Sequence, residues 1–230
     1  SDEDLLNKMH EQLLAHHTSG KPFFILVFSS SNHAPFEFPD GRIDLFEQPK
    51  ATDNNAVKYA DYAMGKFFEK AQKSTYWKDT LFLIVADHDI RVRGNTLVPI
   101  KHFNIPGLIL GADIKPQTIK SISSQIDLPV TVLSLMGISG QHPMTGRDLS
   151  KESADTLGRA MMQYNANFAW MQQTPTGNQV VVLREDKLPA HGVYDLKTKT
   201  LREVSRHWQI HYYPRYCIAS NAIICLKLFS

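Results

Sequence analysis

Cysteine is nearly absent. The 230 residues hold two, Cys217 and Cys225, at a spacing that fits neither a zinc-binding pair nor a C-x-x-C redox motif, so they decide nothing about compartment. An excess of charge is also missing: Lys+Arg 25 against Asp+Glu 23 leaves a formal net charge of +2, which demands neither nucleic acid nor an anionic membrane as partner. No apolar run approaches the roughly 20 residues needed to span a bilayer. The opening SDEDLLNK is acidic, without the basic-then-apolar order of a signal peptide, so the chain is expected to be soluble. What is present is an ordinary 43% hydrophobic content, enough for a sizeable core, and ten histidines.

Leu5, Leu6, Met9, Leu13 and Leu14 recur at helical spacing and stop at Gly20, which predicts a helix over 4–19. FFILVFSSS follows as a continuous apolar run of strand length, expected to be buried on both faces. It ends in SSSNHAPFEFPDG, where Pro35, Pro39 and Gly41 forbid regular structure. Ala56, Ala60, Ala63, Met64, Phe67, Phe68 and Ala71 predict a second helix over 54–73. Apolar strands are expected at 81–86 and 106–111. A third helix is expected to begin at Asp127 as cap, with Pro129 in its first turn and Gly137 past its end. Helical patterns alternating with short apolar strands predict an α/β fold: a mainly parallel sheet with helices on both faces. After residue 150 the pattern changes. QVVVLRED and GVYDLKTKTLREV read as antiparallel strands joined by KLPAHG, a small β appendage, and residues 211–230 show no periodicity.

Ligands of open α/β sheets bind beyond the carboxyl ends of strands. Two polar clusters fall there. Ser29-Ser30-Ser31-Asn32-His33 closes the first strand, and Asp87-His88-Asp89 with Arg91 and Arg93 closes the second. Adjacent residues on a regular strand point to opposite faces, so Asp87 and His88 can meet only if the chain turns off the strand. A carboxylate with a neutral imidazole suits Zn²⁺ or Mn²⁺ better than cations that favour oxygen throughout. The plainer alternative is Asp87 bonded to turn amides and His88, His33 and both arginines as solvated loop residues. His102 precedes the third strand, and only a fold-back of the 89–105 loop would bring it to the crevice.

SSSNHAPFEFP, NNAVKYADYAMGKFFEKA, DTLFLIVADHDIRVRG and SSQIDLPVTVLSLMGISGQHPMTGRDL, in that order, resemble the C-terminal half of the sulfatase-like catalytic domain of lipoteichoic acid synthase-type proteins, in the alkaline phosphatase superfamily. The resemblance divides the chain into that half-domain over 1–150, a β-rich subdomain over 151–210 and a tail over 211–230. It implies a metal-dependent, extracytoplasmic phosphotransferase or phosphohydrolase, at the periplasmic face of the inner membrane and tethered by an N-terminal anchor this sequence does not contain. Asp87 and His88 take the positions of the divalent-metal ligands, with manganese first and zinc or magnesium as alternatives, and His33 that of the histidine at the transferred phosphate. Asn32, Arg91, Arg93 and His102 are candidate phosphate contacts.

This sequence departs from the pattern in three places. Pro129 falls one position early in the D-L-x-P-T helix start, Asp89 stands where glycine often follows the pair, and no segment matches the one carrying the family's Thr nucleophile and acidic ligand. The implied function is part of an enzyme acting on lipid- or glycan-linked phosphoesters. The alternatives are a sulfate-ester hydrolase or a non-catalytic metal- or phosphate-binding fragment. With two matching metal ligands and no matching nucleophile, the chain by itself is expected to be catalytically silent, completed by the missing half of the domain.

Overall fold

The computed structural model describes residues 1–89, 92–153, 155–204 and 223–227. The chain divides into two compact units. The first comprises Ser1–Val85, Gly107–Lys115 and Asn221–Ser230; the second comprises Ala86–Pro106 and Pro116–Ser220.

In the first unit, helix α1 (Asp2–Thr18) opens with Asp2, Glu3 and Asp4, carboxylates that favour the positive end of a helix dipole. It buries Leu6, Met9 and Leu13, spaced three and four apart. Helix α2 (Asp53–Ala71) starts where the Thr52 side chain accepts from Asn55 N, and it buries Ala56, Tyr59, Ala63, Phe67 and Ala71. That face is rotated from the expected one: Ala60, Met64 and Phe68 are only half-buried, and Tyr59 takes a central place. The strands are β1 (Phe24–Val27), β2 (Thr80–Val85), β3 (Gly107–Gly111) and a strand at Ile223–Lys227, in the order β1, 223–227, β2, β3.

The expected mainly parallel sheet is corrected here, because every described pairing is antiparallel. β1 and β2 run the same way but are separated by the 223–227 strand. β3 follows β2 without the crossover helix that a parallel pair requires. The expectation of helices on both faces also fails for this unit. α1 and α2 pack into one core with Val27 and Phe82, while Phe24, Leu26 and Phe28 alternate outward from β1 and are exposed. The first strand is therefore buried on one face only. Phe82 anchors that core, with Phe67, Phe68, Tyr76 and Trp77 all within ring-contact distance.

The second unit carries five antiparallel strands in sequential order: β4 (Arg159–Tyr164), β5 (Asn167–Thr174), β6 (Gly177–Arg184), β7 (Lys187–Asp195) and β8 (Thr200–Val204). KLPAHG is not a connector but part of β7; the turn is the pair Glu185–Asp186. One face of the sheet places Ala160, Met162, Ala169, Met171, Val180, Val182 and Tyr194 in a core that also takes in Val98 and Ile100, so the long segment after β2 is packed down on this sheet. Helix α3 (Asp127–Leu135) closes at Gly137 (φ 69), where Ile138 N reaches Leu133 O at 2.9 Å and Gly137 N reaches Ser134 O at 3.0 Å, the paired bonds of a Schellman end. Asp127 is not the cap. Ile126 holds that position, and Asp127, fully buried, accepts from Ser124 N at 2.9 Å and Arg147 N at 2.8 Å. No described helix is long and apolar enough to cross a membrane.

Candidate functional site

β2 ends at Val85, and the chain bends at once, which frees two consecutive side chains from the alternation of a strand. The Asp87 carboxylate and the His88 imidazole then meet, Oδ2 to Nε2, at 2.7 Å. His88 Nδ1–H donates to the carbonyl of Asp89 at 2.7 Å. That bond fixes the tautomer: in the neutral ring the proton sits on Nδ1 and Nε2 carries a lone pair. In the protonated ring Nε2–H donates to the carboxylate as an ion pair, and in the neutral ring Nε2 and the carboxylate oxygen are two adjacent electron donors that can chelate one divalent cation. The donor pair thus fits a metal of the borderline class, one imidazole and one carboxylate. Among the described residues no group of three or more His, Cys, Asp or Glu side chains is gathered for a metal, so the pair supplies two donors.

Asp89 links this pair to a second histidine. Its carboxylate accepts from His102 Nδ1 at 2.5 Å, leaving Nε2 as the nitrogen outside that bond. His102 lies on a 3-10 turn, Ile100–Phe103, and its distance along the chain from Asp89 is closed by packing. Val98 and Ile100 are buried on the β4–β8 sheet, and Asn167 Nδ2 donates to Leu97 O at 2.8 Å. Arg93 lies in the same segment and is exposed; Arg91 lies outside the described residues. Beneath the bend, the Gln125 carboxamide donates to Ala86 O at 2.8 Å and Asp87 O at 3.0 Å. Sequence reasoning passed over Gln125. It stands in the SSQIDL stretch, whose aspartate drew attention as a helix start.

Asn32 and His33 belong to the first unit. Their loop is tied at its base by Asp2, buried at the start of α1, whose Oδ1 accepts from Ser30 N at 3.3 Å and Ser31 N at 3.2 Å. Both Asn32 and His33 are exposed, and the His33 ring contacts only its neighbour's carbonyl, Nδ1 to Ala34 O at 3.2 Å, among the described hydrogen bonds. The structure therefore gathers Asp87, His88, Asp89 and His102 in one unit and holds Asn32 and His33 on a separate loop of the other.

Comparison with known proteins agrees with the motifs. The sulfatase family matches over residues 1–138. The chain is 26% identical over 150 residues to phosphoglycerol transferase I of Xanthomonas campestris, covering 59% of this chain and 20% of that protein. It is 24% identical over 155 residues to the lipoteichoic acid synthase-like YvgJ of Bacillus subtilis, covering 56% and 25%. A crystal structure of an alkaline phosphatase superfamily protein from Vibrio parahaemolyticus superposes with a TM-score of 0.83 at 48% identity, over 90% of this chain and 50% of that one. The chain thus spans about a quarter or less of the curated relatives it matches and half of the solved one.

Proposed function

Because the chain belongs to the sulfatase family, we propose that it contributes a metal-holding part of a phosphotransferase or phosphohydrolase acting on lipid- or glycan-linked phosphoesters. The observation that carries this reading is the Asp87 Oδ2 to His88 Nε2 approach of 2.7 Å, with the far nitrogen of the ring already committed to a carbonyl. The names of the relatives, a phosphoglycerol transferase and a lipoteichoic acid synthase-like protein, favour a phosphoester over a sulfate ester. The same resemblance supports an extracytoplasmic location, at the periplasmic face of the inner membrane.

Asp87 and His88 would hold the divalent cation, manganese before zinc or magnesium. Bound there, it would neutralise charge on a phosphoryl oxygen and lower the pKa of a hydroxyl to be used as nucleophile. The chain's own groups do the rest. Asp89 keeps His88 in the tautomer that offers Nε2, and through its carboxylate it orients His102. Arg93 is a donor for non-reacting phosphoryl oxygens, through a planar fork that matches two of them, and His102, whose Nδ1 donates to Asp89, adds a second donor at Nε2 in its protonated form. By the family resemblance Asn32 and His33, on a loop whose base is fixed and whose tip is solvated, would be phosphate contacts, with His33 as the proton carrier at the departing or entering oxygen.

Calorimetric titration of the protein with MnCl₂ tests the reading. Binding is expected for the natural sequence, and Asp87→Asn and His88→Gln should each weaken it by about tenfold or more, since each removes one of the donors on which affinity depends. Equal affinity in Asp87→Asn would sink the assignment.

A further inference from the structure

Resting on the reading of Asp87 and His88 as metal donors, we infer that Gln125 is the positioning residue of the pair, and that a buried ionic clasp centred on Asp127 holds Gln125 in place. The two donors stand on a bend. Ladder hydrogen bonds stop at Val85, so the carbonyls of Ala86 and Asp87 need partners from elsewhere. Gln125 provides both from one planar group, its two N–H bonds going to consecutive carbonyls at 2.8 and 3.0 Å. Fixing two successive peptide planes fixes the backbone angles of Asp87 between them, and with those the direction in which its carboxylate leaves the chain. A carboxamide is the one natural side chain that offers two N–H donors in a plane without charge.

Gln125 can act as a fixed arm only if its own backbone is immobile. Ser124 N donates to Asp127 Oδ2 at 2.9 Å, and Asp127 N returns to Ser124 O at 2.9 Å. Asp127 is fully buried between Arg159, Nη2 to Oδ1 at 3.2 Å, and Arg147, Nη2 to Oδ2 at 3.5 Å. Arg147 also pairs with Glu152 at 2.6 Å and donates to Ile122 O at 2.9 Å. The segment 122–126 is further wedged by two glycines. A Cβ on Gly146 would stand 1.9 Å from Ile126 O, and one on Gly158 2.1 Å from Ile122 O. Arg159 begins β4, so the β-rich part of the chain is tied to the arm under the Asp87–His88 bend.

The test compares Gln125→Met, which keeps length but has no donor, with Gln125→Lys, which keeps donors that reach both carbonyls, and with Asp87→Asn. Two readouts are taken. In metal-free protein, ¹⁵N NMR of the His88 ring should show the proton on Nδ1 held by the Asp89 carbonyl in the natural sequence and in Gln125→Lys. The tautomers should mix in Gln125→Met. Manganese affinity should fall by about tenfold to a hundredfold in Gln125→Met, the size seen when groups behind a metal ligand are removed, and stay close to natural in Gln125→Lys. A tautomer unchanged in Gln125→Met overturns the inference, and so does unchanged manganese affinity in Gln125→Met beside a loss in Asp87→Asn. Mixed tautomers in Gln125→Met together with unchanged affinity in Asp87→Asn would support positioning by Gln125 and remove the metal assignment instead. If Gln125→Met does not fold, Gln125→Glu, polar but without a side-chain donor at neutral pH, is read the same way.

Discussion

The loop after β1 and the segment after β2 are both fixed at the end of an apolar strand, and they are fixed by opposite means. Residues 29–33 hang from a single buried carboxylate, Asp2, which grips two backbone N–H groups and leaves the side chains at the tip exposed. The described residues of 86–103 are held at several points: by Gln125 beneath, by Val98 and Ile100 in a core, by Asn167 at Leu97, and through His88 and His102, both bonded to Asp89. The first keeps its polar groups adaptable. The second has its ring orientations set before any ligand arrives, which is what metal donors need.

Three measurements press on this contrast. The largest effect is expected from Asp127→Asn, which strips the charge that Arg147 and Arg159 share inside the second unit. Breaking a buried pair costs about 3–5 kcal/mol, and the low end is expected because the amide oxygen can still accept from a backbone N–H; urea unfolding reads it. A cost near zero would mean that the second segment is not braced by the clasp. Asp2→Ala should cost less, about 1–3 kcal/mol, by leaving the buried Ser31 N–H without its acceptor. Its effect on NMR shifts should centre on α1's first turn and residues 29–33, and unchanged shifts at Ser30 and Ser31 would show that Asp2 does not hold that loop.

The smallest effect is one of pH, in the first unit. His10 Nδ1 lies 2.7 Å from the Tyr76 hydroxyl, and burial, followed by the nearby Lys70, pushes the His10 pKa below its ordinary 6.5. The fold therefore favours the neutral ring and binds fewer protons than the unfolded chain. Its contribution is fully present above pH 6.5 and is lost as pH falls through the lower folded value. Thermal midpoints of the natural protein should decline over that window more steeply than those of His10→Gln, which keeps an acceptor without titrating. Identical slopes would show that the ring is not held neutral.

Much of this was legible in the sequence, and the gaps have physical causes. The three α-helices follow from apolar spacing and end signals. The alternation of β1 was hidden because both of its faces are apolar, the exposed one carrying Phe24, Leu26 and Phe28. β4 and β5, with RAMMQY and NFAWMQQT, contain none of the β-branched residues that mark a strand until the final threonine. KLPAHG, read as a connector, contains Pro189. It is tolerated in β7 because the register shifts between Val182 and Arg184, so no regular ladder partner is needed opposite it. At the site, Asp87 and His88 were readable as neighbours in sequence. The pairing of Asp89 with His102 was not, since it depends on two apolar residues finding a sheet more than 60 positions further on. Asp127 looked like a cap because its true partners, Arg147 and Arg159, are remote in sequence.

The two glycines against segment 122–126 bear on how mutational scans of this protein should be interpreted. Any side chain at 146 or 158 drives a carbon into a main-chain carbonyl, at Ile126 or Ile122. Neither glycine touches the bend at Asp87, yet both abut the strip of backbone that carries Gln125. A saturation library scored by manganese binding should therefore return both positions as intolerant even to alanine, with a profile like that of the donors themselves. Alanine at 146 would mimic the loss of a donor by displacing an arm of the scaffold, and a spectroscopic assay of the backbone at 122–126 would tell the two apart.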